Sequence, residues 1–322
     1  MAVKTVGSYT IRTFDVPPSG FDPLQALPST LLHHGFPRRP SEEKEPKTLA
    51  RWKRAMTLYR DLRFTYITPE LEEMPHQSHD PDSPAGTTAD GSRASYNWSG
   101  TIVFVDHTKD KFQSVIGRWM VPNAYNPRPQ SLANFYSAAW IGIDGANEGL
   151  NASVDLLQAG TVTEFKDGKF QCFAFSQWYN FKPLLLSNFK IAPGDLVSVA
   201  ICVTDYLADP TPSAFCTFGN LTSRQYTSFA QSGPTTAFPA RPYIVGNCAQ
   251  AIVERRTVLG ILLDLPRFGE VLFDEVMAGT TNEVNYDLGN GTPITMINAD
   301  GTPVAKAEIV DSDAIRVYYT GP

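Results

Sequence analysis

The pattern of apolar and polar residues changes near residue 96. From Tyr96 onward, apolar residues recur in short runs that are separated by turn signals such as LGNGT, NADGT and APGD. Such runs are typical of strands joined by tight turns. The pattern predicts strands over Gly100–Asp106, Gln113–Val121, Ser137–Ile143, Phe170–Tyr179, Leu196–Val203, Ala214–Asn220, Ala249–Glu254, Gly269–Glu275 and Ala314–Tyr319. With no helical period after residue 96, an all-β sandwich or barrel is expected.

The first 95 residues follow other patterns. Residues 1–40 are rich in proline, which fixes φ and disfavours helices and central strands, so this stretch is predicted to be an extended arm. Residues 46–63 carry apolar side chains at helical spacing and predict one helix. His79–Ser95 is rich in Asp, Ser, Gly and Pro, as in a flexible, cleavable linker. The predicted organisation is therefore an arm with one helix over 1–78, a linker over 79–95, and a β-domain over 96–322.

Composition narrows the functional classes. The chain has 322 residues, of which 42% are hydrophobic, and this is enough for a large core. A pI of about 5.4 without a Lys/Arg stripe argues against nucleic acid as a partner. No apolar run reaches the roughly 18 residues that span a bilayer, so no membrane association is expected. No secretory signal is visible, and the compartment and oligomeric state stay open, although a monomer is expected.

Charge is distributed unevenly between the two regions. Residues 1–63 carry a net charge of +5, whereas the rest of the chain carries −11. A basic leader on an acidic body is expected to dock electrostatically. The alternative is a basic tail that makes no such contact.

Four cysteines show no CxxC spacing, which argues against a zinc ribbon or a thioredoxin-type site. Cys202 and Cys216 lie on two strands expected to be neighbours and could pair in an oxidising compartment. Without a visible leader peptide, buried free thiols are the favoured interpretation.

Metal and cofactor motifs are weak. His76, His79 and Asp80 form an HxxHD cluster, but it lies in the predicted linker, where a solvated loop is the better interpretation. The sequence has no GxSxG, HExxH or Gly-rich phosphate loop, so no cofactor or metal is expected.

Seven sequence blocks carry a family resemblance. YNWSG, VIGRWMVP, AAWIGIDG, LLQAG, PGD, AIVER and FGEVLF occur in that order over residues 96–273. Together they resemble the glutamic peptidase (eqolisin) family, and the motifs FDPL, HGFPRRP and ARWKRA resemble its pro-segment. The resemblance implies a concanavalin A-like sandwich of two antiparallel sheets, preceded by an extended and helical pro-segment. It also implies secretion and a concave face that holds an extended peptide.

The resemblance also implies catalytic residues. In the family, a glutamate acts as general base and then general acid on the attacking water, and a glutamine amide stabilises the oxyanion. Gln158 falls on the family glutamine. Alignment on IVE and on the later FG places Gln250 at the glutamate position.

Strand alternation supports a shared face for these residues. Gln250, Ile252 and Glu254 are expected on one face of their strand, as are Trp140, Gly142 and Asp144 on theirs. With Gln177, Trp178 and Tyr179, these positions form the predicted substrate-binding set: Trp140, Asp144, Gln177, Trp178 and Tyr179.

Three positions depart from the family pattern: Gln250, Gln177, and Ala251 where the family has a tryptophan. Gln250 cannot act as a base because an amide does not titrate, and Gln177 also replaces an acid. Glu254 lies roughly 13 Å from Gln250 along the strand, too far to act on the same water. An ion pair with Arg255 or Arg256, supporting the site from behind, is its expected role.

Three hypotheses follow from this pattern. The first is a pseudopeptidase that binds an extended peptide without cutting it. The second is an active acid endopeptidase made as a zymogen, with the leader docked on the body. The third is a repurposed enzyme or lectin-like module, in which amides and aromatic rings bind a sugar or small molecule.

Overall fold

The structure is a computed structural model. It describes residues 2–74, 80–127, 134–146, 155–166, 169–179, 181–204, 213–232, 244–258 and 261–321. His76 and His79, the latter being the first residue of the predicted linker, lie outside these ranges.

The N-terminal 95 residues are here called the leader, and their described part contains two helices and six strands. The predicted helix is present, ending one residue earlier than expected, and no helix in the described ranges is long and apolar enough to cross a membrane. The leader elements are β1 (Ala2–Val6), β2 (Tyr9–Thr13), α1 (Pro28–His33), α2 (Pro46–Leu62), β3 (Thr65–Tyr66), β4 (Leu71–Glu73), β5 (Pro84–Thr87) and β6 (Arg93–Ser95).

The remainder, here called the body, is built from strands and one short 3₁₀ turn, Leu288–Asn290, within the described ranges. The strands are β7 (Trp98–Phe104), β8 (Phe112–Met120), β9 (Phe135–Asp144), β10 (Leu156–Lys166), β11 (Lys169–Trp178), β12 (Leu184–Leu186), β13 (Leu196–Val203), β14 (Ser213–Asn220), β15 (Gln225–Ser232), β16 (Cys248–Glu254), β17 (Thr257–Val258), β18 (Ile261–Leu262), β19 (Glu270–Thr280), β20 (Asn285–Asp287), β21 (Thr292–Ile297), β22 (Pro303–Asp311) and β23 (Ala314–Tyr319).

The body strands form two packed layers. The inner sheet has the order β12–β11–β10–β9–β16–β7–β21. The outer sheet has the order β22–β23–β19–β8–β13–β14–β15. Pairing of β21 with β22 joins the two layers at one side. The predicted all-β antiparallel sandwich is confirmed.

Alternation along the strands builds the core between the layers. Ile141 of β9 and Val253 of β16 face Trp119 of β8 and Val199 of β13 in one buried cluster. Gly117 lets the layers approach closely, because a Cβ there would lie 2.9 Å from Ile141. The opposite face of the inner sheet carries a second buried cluster. It holds the predicted site residues and is called the concave face below, after the face that the family resemblance implies.

The leader is more ordered than an extended arm. Strands β1 and β2 form a hairpin, and Tyr9 and Ile11 of β2 are fully buried. β2 and β3 pair with β15, and β4 pairs with β12, so the leader covers the outer edge of each sheet. Of the predicted linker, residues 80–95 include the hairpin β5–β6.

Helix α2 lies over the outer face of the outer sheet. Its apolar stripe packs into a third cluster with Phe36 and Tyr226. Basic side chains of the leader, on α2 and just before it, form ion pairs with acidic body residues: Lys44–Glu283 at 2.9 Å, Lys47–Asp287 at 3.2 Å, Arg51–Asp287 at 3.3 Å and Arg54–Glu275 at 3.1 Å.

The four cysteines are free thiols. Ile201, next to Cys202, is the residue that pairs with Cys216 across β13 and β14. Cys202 therefore faces α2, whereas Cys216 faces the core between the sheets.

Candidate active site

Three glutamines form one row across the concave face. Gln158 pairs with Gln177 on one side and with Gly142 on the other. Gly142 in turn pairs with Gln250. Directly paired residues of an antiparallel sheet point to the same face, so the three amides share the concave face. Gln158 and Gln250 lie two strand spacings apart, about 10 Å between backbones.

Two glycines make room for the indole of Trp140 within this row. A Cβ on Gly142 would lie 2.8 Å from Cζ3 of Trp140, and one on Gly160 would lie 2.5 Å from its Cβ. The indole therefore lies against the backbone where neighbouring side chains are missing. It also packs edge-to-face on Trp98, with the ring centroids 5.0 Å apart.

Glu254 presents a buried carboxylate to the same face. Its Oε2 accepts a hydrogen bond from Nε1 of Trp140 at 2.9 Å, and its Oε1 accepts one from the backbone N–H of Asp80 at 3.0 Å. The indole thus reaches from Glu254 to Gly142, the residue paired with Gln158. The neighbouring Arg255 donates to Asn298 and to the backbone carbonyl of Tyr96.

The two catalytic candidates from the sequence differ in their contacts. Nε2 of Gln250 donates to the backbone carbonyl of Asp144 at 2.6 Å, so this amide fastens the end of β9. Gln158 is fully buried, and neither its Oε1 nor its Nε2 has a hydrogen-bond partner among the described residues. A buried amide without hydrogen-bond partners costs free energy.

Asp144 anchors a neighbouring loop. Its carboxylate accepts hydrogen bonds from the backbone N–H groups of Val245, Gly246 and Asn247, at 2.5 to 3.0 Å. Burial raises the pKa of Asp144 to about 6, although the three donors favour its ionised form. Its side chain is thus engaged by the backbone and positions the rim of the face.

The remaining predicted residues lie on two different faces. Nε2 of Gln177 donates to the carbonyl of Phe181 at 2.8 Å, and Tyr179 packs against the concave cluster. Trp178 does not belong to this face: strand alternation turns it into the core between the sheets, where it is fully buried.

A short run of the leader, Asp80–Ser83, lies against the site. Its backbone is fixed on both sides: the N–H of Asp82 donates to the carbonyl of Gly145, and the N–H of Ser83 donates to Oδ1 of Asn97. The carbonyl of Asp80 accepts the indole N–H of Trp98 at 3.1 Å. Neither Trp98 nor the run Asp80–Ser83 was predicted to lie at the site. Trp98 belongs to the YNWSG block, which could have indicated its role.

The described residues contain no group of three or more His, Cys, Asp or Glu side chains that could hold a metal ion. The Glu254 carboxylate can supply acid–base chemistry, and the amide of Gln158 lies four residues further along the strands.

Comparison with family models matches residues 96–319 to the Peptidase A4 family. This range is well over half of the chain and includes the three strands that carry Trp140, Gln158, Gln250 and Glu254. The chain belongs to the peptidase A4 family. The glutamic peptidase resemblance of the seven sequence blocks is confirmed by this match.

Two solved structures resemble this peptidase A4 member. Scytalido-glutamic peptidase, solved with a transition state analog inhibitor, is 20% identical with a TM-score of 0.55, covering 70% of this chain and 98% of that one. Aspergilloglutamic peptidase from Aspergillus niger is 25% identical with a TM-score of 0.47, covering 58% and 99%. No curated protein matches the chain. The first likeness establishes a shared β-sandwich fold.

Proposed function

We propose that this peptidase A4 member is an acid endopeptidase held latent by its own leader, with Glu254 as the general base. The observation that carries the proposal is the position of the Glu254 carboxylate. It lies on the concave face, is oriented by the indole of Trp140, and is joined through that indole to the row that contains Gln158.

The proposed hydrolysis uses the Glu254 carboxylate and a water molecule beside it. The Glu254 carboxylate removes a proton from water as the water oxygen bonds to the scissile carbonyl carbon. Gln158 lies in the row of Gly142 and Gln250, about 13 Å from Glu254 along the strands, so its amide binds the backbone of the extended substrate away from the scissile bond. Glu254 then gives the proton to the leaving nitrogen, the C–N bond breaks, and the products are a carboxylic acid and an amine.

Gln250 takes a different role in this proposal from the one its alignment suggested. Its Nε2 holds the carbonyl of Asp144, so it supports the end of β9. The chain then has its base four residues further along β16, and an amide at position 250 does not remove the chemistry.

Latency is supported by the contacts of the leader. The backbone N–H of Asp80 donates a hydrogen bond to Oε1 of Glu254. The run Asp80–Ser83 also forms backbone hydrogen bonds with Gly145 and Tyr96. A substrate peptide that runs across this face must displace that run.

A proteolysis assay between pH 2 and pH 7 on an unfolded protein substrate tests the proposal. The full chain is expected to cut after incubation in acid. Glu254→Gln should lower the rate by at least about 100-fold, the usual range for a general base. Gln158→Ala should raise KM and leave kcat nearly unchanged, because this amide binds the substrate away from the scissile bond. Glu270→Gln, on an exposed carboxyl of β19, is the control and should retain the rate of the unmodified chain.

Adding Gln250→Glu to the assay separates the alternatives. If only Gln250→Glu cuts, the natural chain is a pseudopeptidase and the proposal is wrong. If the chain cuts and Glu254→Gln cuts equally well, another acid is the base.

A further inference from the structure

A chamber of about 440 Å³ lies between α2 and the outer face of the outer sheet, far from the concave face. Its size falls in the range of small-molecule sites, about 300–1000 Å³. The part of α2 that lines it runs from Thr48 to Tyr59, which corresponds to about 16 Å of helix. The chamber is therefore elongated along the helix.

The floor of the chamber is a sheet face that the leader leaves incompletely covered. Along β13, the residues that face the core are buried, whereas the alternate residues Ser198, Ala200 and Cys202 keep accessible surface. The walls are mostly apolar and aromatic, formed by Phe36, Trp52, Met56, Tyr59, Phe215 and Met277.

The charged side chains around the chamber are paired with each other. Each arginine that lines it contacts a carboxylate: Arg38–Glu45 at 2.7 Å, Arg51–Asp287 at 3.3 Å, Arg54–Glu275 at 3.1 Å, and Arg118–Asp274. A charged ligand would have to break one of these pairs or enter without a partner, and both are costly. A neutral ligand meets neither cost.

The mouth of the chamber is also apolar. Leu32 and Leu58 both line it, and they are 58% and 37% exposed. Exposed large apolar side chains next to an apolar cavity are a feature of ligand entrances.

We propose that this chamber binds a neutral long-chain lipid, such as a fatty alcohol, between the leader and the body. Because the chamber exists only while α2 is docked, such a ligand stabilises the docked leader by mass action. Binding involves no proteolysis, so its outcome is independent of the proposed peptidase activity.

The test uses the full chain and the neutral fluorescent probe N-phenylnaphthylamine, displaced by myristyl alcohol or by myristate at neutral pH. We expect saturable binding that the alcohol displaces and the carboxylate displaces poorly. Gly219→Phe should fill the chamber, since a Cβ there would meet nothing closer than 3.9 Å. It should weaken binding at least about tenfold. Ala50→Phe, on the exposed face of α2, is the matched control and should bind as the unmodified chain does.

A second readout locates the probe. Bound probe should slow alkylation of Cys202 but not of Cys172, which lies on β11, as measured by peptide mass spectrometry. If Gly219→Phe fails to fold, Ala200→Leu replaces it. The proposal is overturned by non-saturable binding, by unchanged affinity in the folded variant, by equal displacement by myristate, or by an unprotected Cys202.

Discussion

At the scale of single residues, the concave face depends on two positions that lack a side chain as much as on the side chains that it carries. Gly142 and Gly160 leave the space that Trp140 fills, and the indole is then positioned to hold the Glu254 carboxylate. The glycines, the indole and the carboxylate therefore work as one unit, and a change in any of them should disturb the others.

Gly142→Ala should destabilise the fold and displace the indole. The added Cβ would lie 2.8 Å from Trp140 and 3.0 Å from the backbone oxygen of Leu157, which cannot move aside easily. Overpacking of this kind costs about 1–3 kcal/mol. Denaturant unfolding and tryptophan fluorescence measure it. Gly219→Ala is the control, because its Cβ would meet nothing closer than 3.9 Å. Equal stability of the two variants would contradict the argument.

Asp144 should make stability depend on pH. Burial raises its pKa from 3.8 to about 6, so the stability it contributes is fully present below about pH 4 and lost as the pH rises through 6. A shift of this size corresponds to about 3 kcal/mol. The free energy of unfolding, measured from pH 4 to pH 7, should therefore fall more in the unmodified chain than in Asp144→Asn. Parallel profiles for the two proteins would show that Asp144 is not the titrating group.

At the scale of elements, the bounds of strands were predicted best where buried and exposed side chains alternate. The bounds predicted for β13 and β23 match the structure because their alternation is clear. β10 was missed: it is buried on both faces over most of its length, and its interior mixes Gln158, Thr161 and Glu164 with apolar residues. The hairpin β1–β2 was not predicted, because the proline content of residues 1–40 favoured an extended arm.

The candidate site could also be predicted only in part from the sequence. The family and the shared face of Gln250 and Glu254 could be predicted from the sequence blocks and from alternation, and the role of Gln158 stays a prediction. The sequence could not show that Gln250 holds the carbonyl of Asp144 or that Trp140 reaches Glu254, because these contacts depend on how the side chains of β9 and β16 pack.

The docking of α2 should depend on Arg51. Its side chain is 11% exposed and contacts Asp287, which is 8% exposed, and also Asp313. Removing one partner of a buried pair costs about 3–5 kcal/mol because the other charge stays behind. We expect Arg51→Ala to loosen α2, measured as faster cutting of the leader by an added protease. Lys53→Ala, exposed on the same helix, should leave the rate unchanged; similar rates for both variants would argue against this anchor.

At the scale of the whole molecule, cutting the chain and releasing the leader should be separate events. A protease site placed between Met74 and Asp80 should yield two fragments that co-elute on size exclusion at neutral pH. The reason is that β2, β3 and β4 remain hydrogen-bonded to the body, and α2 remains ion-paired to it. Separation of the fragments at neutral pH, without denaturant, would contradict this expectation.

Removal of the leader would expose two sheet edges of the body. β15 and β12 would each present a row of unpaired backbone N–H and C=O groups, and such rows recruit strands from other molecules. The leader therefore covers both of these edges. At high concentration, a body without its leader would self-associate through the two edges that the leader covers.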